Sequence, residues 1–201
     1  MTRMIEIDGS RLNLRDFRSI VDGGQTCTLS TTARSAVQSA RIVIEEVTGL
    51  GEETPAVYGV NTGFGDLPKV RIPADQMQVL QKRLVRSHAA GVGEPLPDRA
   101  VRGMLLLRAN TLAQGHSGVR PELIDLLLEM LNRGVLPVVP SRGSVGASGD
   151  LAPLAHLALP VIGDGRARFE GSELPGREAM QQAGASRRPG RCAQHGCSTR
   201  M

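Results

Sequence analysis

The chain has 201 residues, of which 40% are hydrophobic, 22% are charged and 2% are aromatic, and its formal net charge is +4. This length is typical of one large domain or two small ones, and the apolar fraction supports a buried core, which argues against wholesale disorder. The absence of Trp and the single Tyr argue against an aromatic stacking surface for single-stranded nucleic acid.

The positive charge is confined to the last 17 residues. Residues 185–201 contain four Arg and no Asp or Glu, so residues 1–184 hold 20 basic residues (24 − 4) and 20 acidic ones. A nucleic-acid-binding function therefore has support only from this tail.

The cysteine count and the hydropathy pattern indicate a cytoplasmic protein. Cys27, Cys192 and Cys197 are an odd number, which argues against a disulfide framework. The N-terminus lacks the apolar region of a signal peptide, and the most apolar stretch, residues 151–163, is too short to span a bilayer.

The first half of the chain predicts one short strand and three helices. These are a strand at residues 4–7, a helix from about 13 to 21, a helix capped by Ser30 and Thr31 that ends at Gly49 and Gly51, and a helix from 75 to about 88. The residues expected to face the core on the last two helices are Ala33, Val37, Ala40, Ile44, Val47, Met77, Leu80, Leu84 and Val85. Residues 58–65, between these helices, have three glycines in eight positions. We therefore expect this loop to need a particular backbone conformation more than side-chain packing.

The second half predicts three more helices, which makes the body mainly helical. Its predicted elements are a helix from Pro97-Asp98 to Gly115, a helix at 122–132 opened by Pro121 and closed by Gly134, an extended segment at 135–140, a glycine-rich loop at 143–149, an apolar helix beginning near Asp150, and a tight turn at 163–165 between two extended pieces, the second at 166–170. From Gln181 onward the chain has no Val, Ile, Leu, Phe or Tyr, which predicts disorder, and we place the end of the folded domain at residue 184.

The loop at 143–149 does not fit the common glycine-rich motifs. A phosphate loop needs Lys and then Ser or Thr after its last glycine, whereas Asp150 follows here. The glycines lack the dinucleotide-binding spacing, and Ser148 is not in a G-x-S-x-G elbow. On composition alone, a purely structural turn remains open.

No metal site is predicted. His88, His116 and His156 are widely separated and have no partner at the helical i, i+4 spacing. The tail offers three ligands within six residues, at Cys192, His195 and Cys197, but a closed zinc site needs four ligands.

The two glycine-rich loops together carry a specific resemblance. Residues 143–156 read GSVGASGDLAPLAH and residues 58–65 read YGVNTGFG, with further matching runs at 86–95 and 107–120. These runs resemble the aromatic amino-acid ammonia-lyase family over about residues 4–184, and the Ser87-His88 pair resembles the histidine ammonia-lyases in particular. The resemblance implies a mainly α, fumarase/aspartase-like N-terminal domain of the ammonia-lyase fold, truncated before the long helical bundle.

The resemblance also implies a prosthetic group made from the chain itself, with no external cofactor. The backbone nitrogen of Gly149 attacks the carbonyl carbon of Ala147 with loss of water, and dehydration of Ser148 completes a 4-methylidene-imidazol-5-one. Gly149 has no Cβ to obstruct the turn. Asp150 lies near the N-terminus of the next helix, whose positive dipole end would support negative charge on the ring.

The same resemblance suggests site roles in the first glycine-rich loop and at the Ser87-His88 pair. Tyr58 resembles the base that removes the β-hydrogen, and because a phenol has an ordinary pKa near 10 it must be made more acidic. We expect the backbone N–H groups of Gly63 and Gly65 to provide that stabilisation. His88 resembles the residue that contacts the substrate imidazole, Gly65 is expected on the substrate side, and Asn61 is expected to order the Tyr58 loop.

The function implied is elimination of ammonia from L-histidine to give urocanate, by a cytoplasmic homotetramer with no nucleic-acid or membrane partner. The alternatives are a tyrosine or phenylalanine ammonia-lyase or aminomutase on the same scaffold, and an inactive truncated fragment or assembly partner. After Ala183-Gly184 the sequence departs from the apolar continuation of the family. The body has only two lysines, Lys69 and Lys82, which suggests a GC-rich gene, and we expect the tail to be an out-of-frame product of a frameshift or truncation near residue 184.

Overall fold

The computed structural model describes residues 4–49, 56–63, 70–144 and 151–185 of the chain. Helices dominate these residues, and the mainly α domain predicted from the sequence is confirmed. The helices are α1 Leu14–Val21, α2 Thr31–Gly49, α3 Ala74–His88, α4 Asp98–Ala113, α5 Pro121–Arg133, α6 Leu151–Ala158 and α7 Gly176–Gln182. The strands are β1 Ile5–Ile7, β2 Cys27–Leu29, β3 Val92–Pro95, β4 Leu136–Pro137, β5 Pro140–Arg142, β6 Arg166–Phe169 and β7 Ser172–Pro175.

The first six helices and their end signals agree with the sequence predictions. Asn13 caps α1 by accepting a hydrogen bond from the Asp16 N–H at 2.9 Å, and Gly134 closes α5 in the left-handed region at φ 74°. Of the core positions expected on α2, Ala33 and Val37 are buried and the other three are half-buried. The four expected on α3 are all half-buried.

Two predictions about the last part of the chain are wrong. The turn at 163–165 follows a 3-10 helix, Pro160–Ile162, and not an extended piece, because Pro160 fixes a helical φ at its start. The disorder expected from Gln181 does not hold as far as Ala185. Ala183 and Ala185 are 7% and 0% exposed, and Arg133 donates to the Ala183 carbonyl at 2.7 Å. Small alanines can thus be buried without a large apolar side chain, whereas residues 186–201 lie outside the described part.

The core lies between α4 and α5, which are buried on more than one face. Its fully buried large side chains are Ile7, Ile20, Val37, Val101, Leu105, Leu106, Ile124, Met130, Leu131, Val135 and Val139. Arg102 on α4 reaches the end of α1, where it donates to the carbonyls of Ile20 at 2.7 Å and Val21 at 2.9 Å. This contact satisfies helix-end carbonyls that have no partner within α1.

The strands of the described residues form three short sheets. β1 and β2 are parallel, with Ile5 opposite Cys27, and β4, β6 and β7 form an antiparallel sheet in that order. The third sheet pairs β3 with β5 in antiparallel register, Val92 opposite Arg142. This last pair is important for the site, because β3 follows His88 by a few residues and β5 leads into the glycine-rich loop.

Candidate active site

Tyr58 lies in a turn that is held by two buried polar side chains. Asn61, 9% exposed, accepts a hydrogen bond from the Val57 N–H at 2.7 Å through its Oδ1. Thr62, 1% exposed, accepts from the Gly59 N–H at 3.3 Å and donates to the Gly63 carbonyl at 2.9 Å. Tyr58 itself is 59% exposed in this domain.

The expected role of Gly63 is wrong in this structure. Its backbone N–H donates to the Val70 carbonyl at 2.9 Å, while the Ile72 N–H donates to the Asn61 carbonyl at 3.0 Å. These bonds pair residues 61–63 with residues 70–72 in antiparallel fashion, with Thr62 opposite Arg71. The Gly63 donor is therefore occupied by local backbone pairing and does not stabilise a phenolate at Tyr58.

His88 is the last residue of α3, and its ring is oriented by the helix that carries it. The ring Nδ1 lies 2.9 Å from the Leu84 carbonyl oxygen and 3.1 Å from Ser87 Oγ. The Ser87 hydroxyl donates to the same carbonyl at 2.9 Å. Because a carbonyl only accepts, the contact with Leu84 requires a proton on Nδ1, and a neutral ring then has Nε2 as its acceptor.

The glycine-rich loop is closed at its base. A Cβ added to Gly143 would lie 2.9 Å from the Gly91 Cα and 3.2 Å from the Ala152 Cβ. We call Gly91, Gly143 and Ala152 the loop base. The chain thus leaves β5 and re-enters at α6 at nearly the same place, next to the segment that follows His88.

His156 on α6 joins this group, and it was not among the site residues predicted from the sequence. Its Nε2 accepts a hydrogen bond from the Gly91 N–H at 3.0 Å. Burial lowers the pKa of the His156 ring from its ordinary value, which favours the neutral form that can accept. The only sequence signal was its position in the run that carries the resemblance, since an isolated histidine is usually a packing residue.

Ala147, Ser148, Gly149, Asp150 and Gly65 lie outside the described residues. The described contacts form one group around Tyr58 and Asn61 and a second around His156 and the loop base, which the chain enters three residues after His88.

The described residues contain no group of three or more His, Cys, Asp or Glu that could hold a metal ion. None of their helices is long and apolar enough to cross a membrane. Cys192, His195 and Cys197 lie outside the part of the chain that the structure describes.

Comparison with known proteins gives consistent matches along the chain. The sequence matches the family described as "Aromatic amino acid lyase" over residues 12–189. It is 51% identical to the histidine ammonia-lyase of Stigmatella aurantiaca, over 90% of this chain and 35% of the relative. The histidine ammonia-lyase of Streptococcus sanguinis is 45% identical over 92% of this chain and 35% of its own length.

The solved structures extend the match to the fold. The ergothioneine-degrading enzyme ergothionase from Treponema denticola superposes with a TM-score of 0.85 at 31% identity, covering 92% of this chain and 36% of that one. The described fold is therefore the mainly α fold of the ammonia-lyase and aminomutase structures. The chain belongs to the aromatic amino acid lyase family. It spans about a third of the length of the curated relatives it matches, 35% in both cases above.

Proposed function

We propose that this chain carries the first part of the active site of a histidine ammonia-lyase, which eliminates ammonia from L-histidine to give urocanate. The observation that carries the proposal is the 45–51% identity to histidine ammonia-lyases along nine-tenths of the chain. The whole enzyme, including its expected homotetramer, is proposed on the same grounds.

The geometry of His88 supports histidine as the substrate. Its Nδ1–H is engaged by the Leu84 carbonyl, so the neutral ring offers Nε2 as an acceptor. The imidazole of L-histidine carries an N–H that matches this acceptor, and the phenyl ring of phenylalanine carries no such donor. A site that uses a hydrogen bond discriminates strongly against a substrate that cannot form it.

Tyr58 is the proposed base for the β-hydrogen of the substrate. Its turn is fixed by the buried side chains of Asn61 and Thr62, so the phenol is held on an ordered backbone even though it is exposed in this domain. The Gly63 N–H is occupied by the Val70 carbonyl, so of the two backbone donors proposed for the phenolate only Gly65 remains.

The loop base fits the proposed prosthetic group. Gly91 and Gly143 approach so closely that an added Cβ would be 2.9 Å from a backbone atom, and such tight closure suits a loop that is compressed for cyclisation. Ala147, Ser148 and Gly149 would form the group, which supplies an electrophilic methylene that makes the substrate amine a better leaving group.

The test is made on the purified 201-residue chain. Intact mass spectrometry should show a chain that is lighter by two waters, one lost in ring closure and one from Ser148. L-histidine should yield the absorbance of urocanate, with less product from L-tyrosine or L-phenylalanine. Ser148→Ala is the control, because it cannot lose the second water and should show neither the full mass change nor turnover.

Each other outcome supports a different reading. Product from tyrosine or phenylalanine in preference to histidine would favour another member of the same scaffold. Loss of both waters without turnover would indicate a chain that cyclises but lacks the rest of the site. An unmodified mass with no turnover would support the inactive fragment.

A further inference from the structure

Three segments that are distant in sequence meet beside the end of α3. The pairing of β3 with β5 brings the chain that follows His88 alongside the chain that enters the glycine-rich loop. The Leu96 N–H extends this contact by donating to the Val139 carbonyl at 2.8 Å. The third segment is α6, which begins where the loop ends.

Gly91 is the point at which these segments are closest. A Cβ on Gly91 would lie 3.1 Å from His156 Nε2 and 3.3 Å from the Pro140 Cβ. On its other side, the Gly91 Cα would lie 2.9 Å from a Cβ on Gly143. Side chains at positions 91 and 143 would therefore separate the three segments, and glycine allows the backbones to touch.

His156 supplies the hydrogen bond that holds this contact together. Its Nε2 accepts from the Gly91 N–H at 3.0 Å, which joins two residues 65 positions apart. The acceptor role requires a neutral ring with its proton on Nδ1. This bond ties the middle of α6 to Gly91, while Ala152 at the start of α6 packs on Gly143.

We propose that His156 is a positioning residue that holds Gly91 against Gly143 and so fixes the loop base in the closed geometry that cyclisation of the loop requires. Its consequence for cyclisation rests on the proposed function. The positioning itself concerns described residues alone and is measurable without turnover. A leucine at this position could fill the space but could not accept the bond, whereas the Gln side chain carries an acceptor oxygen at a similar reach.

The experiment compares wild type, His156→Leu and His156→Gln in the full chain. His116→Leu is the matched control, because His116 is exposed and takes no part in the described contacts of the loop base. Amide hydrogen exchange at Gly91 and the NMR shifts of the Gly143 amide report the positioning. The ¹⁵N shifts of the His156 ring report which nitrogen holds the proton, and intact mass reports the fraction of chains that have lost both waters.

We expect Gly91 exchange to rise about tenfold in His156→Leu, the range for loss of one hydrogen bond, and the Gly143 amide to shift. Both should return toward wild type in His156→Gln and stay unchanged in His116→Leu. The cyclised fraction should fall in His156→Leu and recover in His156→Gln.

Several results would overturn the proposal. They are a wild-type His156 ring with its proton on Nε2, a Gly91 amide that exchanges at the same rate in all variants, and an unchanged cyclised fraction in His156→Leu. If His156→Leu does not fold, the positioning role is still tested by the ring tautomer in wild type and by Gly91 exchange in wild type and His156→Gln. An unmodified wild-type mass would contradict the proposed function, while the NMR readouts would still decide the positioning.

Discussion

The guanidinium of Arg86 forms a two-point pair with the carboxylate of Asp164, with Nε to Oδ2 at 2.6 Å and Nη2 to Oδ1 at 3.2 Å. The pair joins the last turn of α3, which carries His88, to the turn that follows the 3-10 helix. The Arg86 guanidinium also holds the pKa of Asp164 below its ordinary value of 3.8. The end of α3 is thus fastened on one side by Asp164 and on the other by the contact between Gly91 and His156.

Asp164→Asn should lower the melting temperature slightly at neutral pH, by about 3 °C or less, because both partners are partly exposed to solvent. The pKa of the Asp164 carboxylate is lower in the folded state than in the unfolded chain. Its contribution to the unfolding free energy is therefore fully present above the unfolded pKa and is lost as the pH falls through the folded pKa. Thermal melts of both proteins should therefore converge below pH 3.8. A difference in melting temperature that persists in acid, or that does not change when salt is added, would contradict an ionic origin.

Protonation of His156 should weaken the fold in mild acid. Burial lowers the pKa of this ring below 6.5, so between the folded value and 6.5 the unfolded chain takes up more protons than the folded one. The contribution of His156 to the unfolding free energy is therefore complete above pH 6.5 and declines as the pH falls below that value. Urea denaturation should show a steeper loss of the unfolding free energy from pH 7.5 to 5.5 in wild type than in His156→Gln. Equal slopes in the two proteins would rule out His156 as the titrating group.

The Asn132 side chain forms two hydrogen bonds with the backbone of Cys27, as a neighbouring strand would do. Its Oδ1 accepts from the Cys27 N–H at 3.0 Å, and its Nδ2 donates to the Cys27 carbonyl at 2.8 Å. Asn132→Leu should cost about 1 kcal/mol of unfolding free energy, measured in urea, because it leaves buried backbone groups without these partners.

The same substitution should expose the Cys27 thiol. Burial raises the pKa of Cys27 to about 11, so at pH 8 the thiol is protonated and the folded protein should label slowly. In Asn132→Leu, labelling at Cys27 should be roughly fivefold faster, as read from the modified peptide by mass spectrometry. An unchanged rate would show that the Asn132 contact does not limit opening of β2.

Asn61→Leu should loosen the turn that carries Tyr58. The Val57 N–H would lose the acceptor it has at 2.7 Å, and amide exchange at Val57 should rise about tenfold. Asn61→Asp keeps an oxygen at the same position and should restore slow exchange. If Asn61→Asp exchanges as fast as Asn61→Leu, the carboxamide acts through another of its contacts.

Tyr58→Phe tests the proposed base directly. It removes the hydroxyl but keeps the ring, so the chain should still lose two waters and should show no urocanate formation. Intact mass and the absorbance assay on the same sample separate the two effects. Residual turnover close to that of wild type would assign the base to another residue.

Most of the helical framework could be predicted because its signals are local. Asn13, Pro121 and Gly134 act through the backbone within a few residues, and apolar spacing sets the face that each helix buries. The elements that the sequence did not reveal, β2 and β7 among them, are three or four residues long and depend on distant partners. Cys27, for example, pairs with Ile5 and with the side chain of Asn132.

The same difference between local and long-range signals applies to the candidate site. Tyr58, Asn61 and His88 are candidate residues suggested by the motifs around them, and the hydrogen bond that Asn61 accepts spans only four residues. The sequence could not predict that the Gly63 N–H donates to the Val70 carbonyl or that His156 accepts from Gly91. Each of these bonds depends on which segments the fold brings together.

The sequence alone determined the family resemblance, the helix ends and the confinement of the excess charge to residues 185–201. These are properties of neighbouring residues, and they need no knowledge of the packing. Only the tertiary structure decided that Gly91, Gly143 and Ala152 form one loop base and that His156 holds it. The physical reason is that a hydrogen bond across 65 residues exists only after β3, β5 and α6 have packed, and no local pattern records that approach.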